Sequence, residues 1–224
     1  MKITTFNDDF LYSTIDEILT IEENSVLYEM CINFHKKYKN QIEDLSFFIL
    51  EKDLNLHGLE YCKKNYLIRQ NNNVKISNEE LDTFNSITRN IENRLNNTEL
   101  TNYYPNVSEK YHWHFNLVIS SNIPLNPHTD NPIDLIEYGI KNNVMVSCGI
   151  YKGVIYIGDK NVKYENYGTR MYKTNEQNSE IVEIPFIPRN ACVFKTGHNS
   201  WHGTDFKDDL PYDRYSITIQ YYED

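Results

Sequence analysis

The chain has 224 residues, a formal net charge of −10, 40% hydrophobic and 24% charged residues, the balance of a folded globular protein and not of a disordered one. So negative a chain is a poor candidate for gripping phosphate backbones. No apolar run approaches bilayer-spanning length, and the opening MKITTFNDD is too acidic and too little apolar for a secretory signal. The expected setting is cytoplasmic. Cys31, Cys62, Cys148 and Cys192 lie far apart, without zinc-finger spacing, and are read as free, mostly buried thiols.

The first hundred residues read as helical. Ser13-Thr14-Ile15-Asp16-Glu17 has the form of a helix start with acidic residues in its first turn. Near-helical apolar spacing follows over residues 25–38, 41–55 and 78–96, the last with Leu81, Phe84, Ile87, Ile91 and Leu95 at steps of three and four. Asn71-Asn72-Asn73 marks a polar loop. His35 and His57 have no ligand-type neighbours in sequence and are read as structural or surface residues.

From Tyr111 the period changes. Strands are expected over 112–119, 144–151, 153–157, 169–172, 181–184, 191–194 and 215–222, separated by turn signals such as Asn166-Tyr167-Gly168 and Pro188-Arg189-Asn190. Short strands so punctuated favour a β-sandwich or jelly roll with a walled mouth. The expected fold is therefore α+β. Helices of residues 1–100 back a β-rich core over 101–224, and with no repeat or linker between them the two form one integrated domain.

The chemistry gathers around Pro127-His128-Thr129-Asp130-Asn131-Pro132. If His128 and Asp130 close a strand, their side chains share a face. A second histidine from a neighbouring strand then makes two imidazoles and one carboxylate, the facial triad of non-heme Fe(II) oxygenases. The plain alternative is an exposed turn between two prolines. His202, in Ser200-Trp201-His202-Gly203, is the natural third ligand; His198 is a rival, read as a loop residue because Gly197, Asn199 and Gly203 argue against a helix there. Arg214 follows His202 by twelve residues, and its forked guanidinium suits the distal carboxylate of a small diacid. Ser216, on the same face of a strand, can donate a hydroxyl to that carboxylate. Read alone, Arg214 is instead a surface ion pair with Asp208, Asp209 or Asp213.

The ordered series His128-Thr129-Asp130, Gly168-Thr169-Arg170-Met171-Tyr172, Pro188 to Phe194, Ser200-Trp201-His202-Gly203 and Arg214-Tyr215-Ser216 resembles the 2-oxoglutarate/Fe(II)-dependent dioxygenase superfamily over roughly the second half of the chain. The resemblance implies a double-stranded β-helix with iron held by His128, Asp130 and His202. It further implies 2-oxoglutarate as co-substrate, chelating the iron and anchored by Arg214 and Ser216, with O2 as oxidant and succinate and CO2 as products. By the same resemblance a carboxylate at position 130 points to hydroxylation, or a related desaturation or ring closure, over halogenation, with hydroxylation favoured. Arg170, Tyr172 and Trp201 are the candidate substrate contacts, and Tyr151 to Thr174 the candidate lid or specificity segment. The substrate is a small molecule, amino acid or peptidyl residue. Two other readings stand beside this one. A cupin-type site would use the pair His112 and His114 without 2-oxoglutarate, although Phe115 to Asn126 lacks its carboxylate. A non-enzymatic module would use metal only for folding.

Overall fold

A computed structural model describes residues 1–7, 11–38, 46–51, 77–96, 111–120, 125–129, 151–197, 199–204 and 213–223. In chain order the elements are β1 (Lys2–Asn7), β2 (Leu11–Asp16), α1 (Ile21–Tyr38), β3 (Ser46–Glu51), α2 (Asn78–Asn96), β4 (Tyr111–Ser120) and β5 (Leu125–His128). There follow β6 (Tyr151–Ile157), β7 (Thr169–Tyr172), β8 (Glu180–Ile184), β9 (Ala191–Lys195), β10 (Trp201–Thr204) and β11 (Arg214–Glu223). The strands make two sheets, ordered β1-β2-β9-β6-β11-β4-β3 and β5-β10-β7-β8, and every pairing recorded between them is antiparallel.

The N-terminal region departs from the expectation of helices alone. Leu11 to Asp16 is a strand, because Ser13 and Ile15 alternate with Tyr12 and Thr14 at a period of two, and β2 pairs with both β1 and β9. The helix starts later, at a reciprocal capping box: the Glu23 amide donates to Thr20 Oγ1 and the Thr20 amide to Glu23 Oε2. Glu17, at φ 58° in the left-handed region, breaks the chain between the two elements. The helix expected over 41–55 is also corrected. Ser46–Glu51 is a strand against β4, as suits the compact run Phe47-Phe48-Ile49-Leu50; the remainder of that stretch lies outside the described residues. The helix expected over 78–96 is found at those bounds, capped by Ser77 and Glu80. Of the strand expected over 144–151, only Tyr151 is described.

Period-two alternation gives the seven-stranded sheet two chemically different faces. On one face Ile15, Leu117, Ile155, Val193, Ile217 and Ile219 join Leu27, Phe34, Phe84 and Ile91 of the two helices in one buried cluster. Each such fully buried side chain contributes roughly 1.5–3 kcal/mol. On the other face Tyr156, Cys192 and Phe194 pack with Met171 and Ile184 of the four-stranded sheet. The space between the sheets is thus lined by residues of opposite parity to the helix-facing core. Polar clamps fix the helices. Arg94 grips Glu23 through Nη1 to Oε2 at 2.6 Å and Nη2 to Oε1 at 2.9 Å, and Asn24 exchanges two hydrogen bonds with the Gly158 backbone. Pro188-Arg189-Asn190 is more than a turn. Its Asn190 side chain accepts from the Glu17 amide and donates to Asp16, docking the end of β2. No described helix is long and apolar enough to cross a membrane.

Candidate functional site

His128 and His202 are directly opposite each other in the β5–β10 ladder. Cross-strand partners share a face, and the two rings lie 4.3 Å apart between centroids, tilted by 50°. In each, Nδ1 is 2.9 Å from the carbonyl oxygen two residues back, Asn126 for His128 and Ser200 for His202. A carbonyl only accepts, so Nδ1 carries the proton in this hydrogen bond and Nε2 keeps a lone pair of the kind that can bind a metal. Ser200 is itself held in a turn with Gly197, and the Asn126 side chain accepts from Gln177. The His202 ring rests on Phe194 at 4.5 Å, is nearly buried, and sits on a strand and not a helix. Asp130 and His198 lie outside the described residues. Among the described residues no three His, Cys, Asp or Glu side chains cluster.

Arg214 opens β11 and is buried, not surface-exposed. Asp213 lies 3.2 Å from His35 of α1; Asp208 and Asp209 lie outside the described residues. Arg214 donates from Nε to the Tyr167 carbonyl at 3.1 Å, and its guanidinium carbon is 5.8 Å from the Tyr156 ring centroid. Among the described residues it has no carboxylate partner. Burial pushes the guanidinium below its usual pKa. Two residues on, Ser216 is fully buried and its Oγ has no hydrogen-bond partner among the described residues. An unmatched buried cation beside an orphaned hydroxyl is costly unless an anion fills the gap. The donor set fits a carboxylate that takes a forked guanidinium and one O–H.

Burial along the inter-sheet face gives this space a direction. On β11, Arg214 and Ser216 are buried whereas Thr218 and Gln220 are partly exposed; on β6, Tyr156 is buried whereas Val154 and Lys152 are partly exposed. The closed end therefore holds Arg214, Ser216, Tyr156 and Cys192. Burial raises both the Tyr156 and the Cys192 pKa, and the Tyr156 hydroxyl donates to Thr169 at 2.8 Å. These are neutral walls. The open end lies at the level of Phe194, Lys152 and Gln220, neighbours across β9, β6 and β11, where Phe194 carries the His202 ring.

The structure does not bring the three candidate substrate contacts into this space. In the β10–β7 ladder Met171 pairs with His202 on the inner face, whereas Arg170, Tyr172 and Trp201 have the opposite parity. Arg170 is engaged by Glu180 at 2.7 Å and Glu183 at 3.3 Å, and Tyr172 is buried. The segment expected to be a lid comprises β6, β7 and the loop that joins them. The loop between them is packed, with Tyr164 and Tyr167 buried edge to face and Tyr164 accepting from the Asp159 amide. His112 and His114 occupy register positions opposite Tyr222 and Gln220. Sequence reasoning missed Tyr156, Cys192 and Phe194. Their parity was readable, but which strands flank β11 is not a local property.

No protein-family model and no curated protein matches the chain. Solved structures do resemble it. A viral collagen prolyl hydroxylase from Paramecium bursaria Chlorella virus-1, in a 2OG complex, matches with a TM-score of 0.52 at 11% identity, over 95% of this chain and 96% of that one. Prolyl 4-hydroxylase from Phytophthora capsici gives 0.51 at 14%, over 96% of this chain and 60% of that one. A Trichoplax adhaerens prolyl hydroxylase in complex with a hypoxia-inducible-factor peptide fragment gives 0.50 at 14%, over 95% and 83%. At these identities the likeness concerns the fold, and it runs nearly the whole length of the chain: two facing antiparallel sheets of the prolyl-hydroxylase type.

Proposed function

We propose that the protein is a 2-oxoglutarate- and Fe(II)-dependent dioxygenase that hydroxylates a C–H bond of an amino-acid, peptidyl or small-molecule substrate. The observation that carries the reading is the buried Arg214 with no carboxylate partner among the described residues, beside the orphaned Ser216 hydroxyl. A metal used only for folding, or a cupin-type oxygenase, has no need of such an anion cradle. The resemblance to prolyl hydroxylases, one complexed with 2OG and one with a peptide fragment, supports the same reading. In it the sheets are wired as a double-stranded β-helix, residues 1–100 and 101–224 form one integrated domain, and the protein acts in the cytoplasm.

His128 and His202 would hold the iron through Nε2, each oriented by its Nδ1–H bond to a carbonyl, and Asp130 would complete the triad. Bound Fe(II) supplies the dioxygen chemistry that converts 2-oxoglutarate to succinate and CO2 and places one oxygen atom in a C–H bond of the substrate. The residues of the chain supply the rest. Arg214 and Ser216 bind and orient the distal carboxylate at the closed end, which aims the keto acid toward the histidines. Tyr156, Cys192 and Phe194 exclude water from the path.

The test is anaerobic addition of Fe(II) and then 2-oxoglutarate to the purified protein, watching for a visible metal-to-ligand charge-transfer band. The band, followed by succinate once air is admitted, is the expected result. Iron bound without a band would hand the site to the cupin-type reading, and no iron binding would reduce the triad to coincidence. Ala at His128, Asp130 or His202 should abolish iron binding, read by metal analysis, while leaving the circular-dichroism spectrum unchanged; turnover retained in any of them refutes the triad.

A further inference from the structure

The register carries one line of residues across five strands of the large sheet, all of the parity that faces the inter-sheet space. Phe6 on β1 pairs with Tyr12 on β2, Tyr12 with Phe194 on β9, Phe194 with Lys152 on β6, and Lys152 with Gln220 on β11. It crosses the open end at the level of the histidines, because Phe194 carries the His202 ring. Beyond Phe194 it runs outward as an aromatic shelf. The Phe6 and Tyr12 rings stack at 4.7 Å and 13°, and Phe6, on the end strand of the described sheet, is 37% exposed. A partly exposed aromatic pair continuous with the wall of a site is a surface suited to an apolar or ring-bearing group. The length of the line constrains the occupant. At a strand spacing of about 4.8 Å, β1 to β11 spans roughly 19 Å and β9 to β1 roughly 10 Å, far more than a free amino acid covers.

Resting on the function proposed above, we infer that Phe6 and Tyr12 form a specificity shelf for an extended peptide substrate. The peptide lies across the open end with the oxidised residue at His202, and a ring-bearing or large apolar side chain sits on the Phe6–Tyr12 stack. At about 3.3 Å per extended residue, the 10 Å offset places that side chain two or three residues from the oxidised one. This gives the β1–β2 hairpin a role in recognition.

The test supplies the Fe(II)-loaded protein and 2-oxoglutarate with a library of randomised peptides longer than the line, and sequences the products that gain one oxygen. Wild type should enrich aromatic, prolyl or large aliphatic residues two or three positions to one side of the oxidised residue by about three- to tenfold. Phe6→Ala should erase that enrichment within its own products, and Phe6→Tyr should restore it. A preference that survives Phe6→Ala, products with no positional preference, or a library left unoxidised by protein that shows the charge-transfer band would each overturn the shelf. Wild-type protein without that band would instead bring down the proposed function, and this inference with it.

Discussion

Arg214→Met separates binding from stability in a way that no simple structural arginine can. In the proposed complex the guanidinium makes a forked, charge-assisted pair with the distal carboxylate of 2-oxoglutarate, each such bond being worth about 1.5–3 kcal/mol. Losing both costs about 3–6 kcal/mol, hence a roughly 10²- to 10⁴-fold weaker 2-oxoglutarate dissociation constant. Stability without 2-oxoglutarate should move the other way or stay put. The substitution removes the hydrogen bond that the Tyr167 carbonyl now accepts from Nε, at a cost of about 1–3 kcal/mol. It also removes a buried cation with no carboxylate partner among the described residues, a relief of several kcal/mol. For a chain of this size 1 kcal/mol corresponds to about 2–4 °C in melting temperature, so the variant should melt within about 5 °C of wild type or above it. Anaerobic titration of the charge-transfer band gives the affinity, and differential scanning fluorimetry without 2-oxoglutarate gives the stability. A melting point more than about 10 °C lower would mean that Arg214 has a carboxylate of its own. That result, or an affinity changed less than about fivefold, ends the anchor assignment.

Ser216→Ala tests the same cradle from its neutral side: removing the orphaned hydroxyl should leave stability unchanged or raise it by up to about 1 kcal/mol while weakening 2-oxoglutarate about five- to tenfold. A clear loss of stability would show that the hydroxyl is already bonded. Arg94→Ala should destabilise by about 2–3 kcal/mol, discounted from the cost of breaking a fully buried pair because Arg94 is part-exposed. The pH dependence follows from Glu23. Burial works to raise its pKa, but Arg94, the Thr20 amide and Asn90 outweigh burial and hold the carboxyl below its ordinary value. The contribution of the pair is therefore present above the unfolded carboxylate pKa and fades as pH falls through the lower folded one. The gap between wild type and Arg94→Ala in urea melts should narrow on acidification; a gap that widens contradicts the sign.

The sequence by itself determined the chemistry on offer and much of the local structure. His128, His202, Arg214 and Ser216 were chosen from residue type, spacing and order, and α2 was legible to its bounds because steps of three and four admit no strand. The first strands were not. Ser13 to Glu17 carries a helix-start signal that lost to pairing with β1 and β9, and the run Phe47 to Leu50 suits a helix and a buried strand equally until β4 supplies a partner. Arg170 shows the same limit at the site. A cation near the right motif is a fair candidate from sequence, but its parity on β7 and the carboxylates of β8 turn it away. Which strands lie side by side, and therefore which of two alternating faces becomes the closed space, depends on contacts between residues far apart in the chain. Only the tertiary structure could decide it. That decision left Arg214 buried without a carboxylate partner among the described residues, set Phe194 against the His202 ring, and carried the aromatic line out to Phe6.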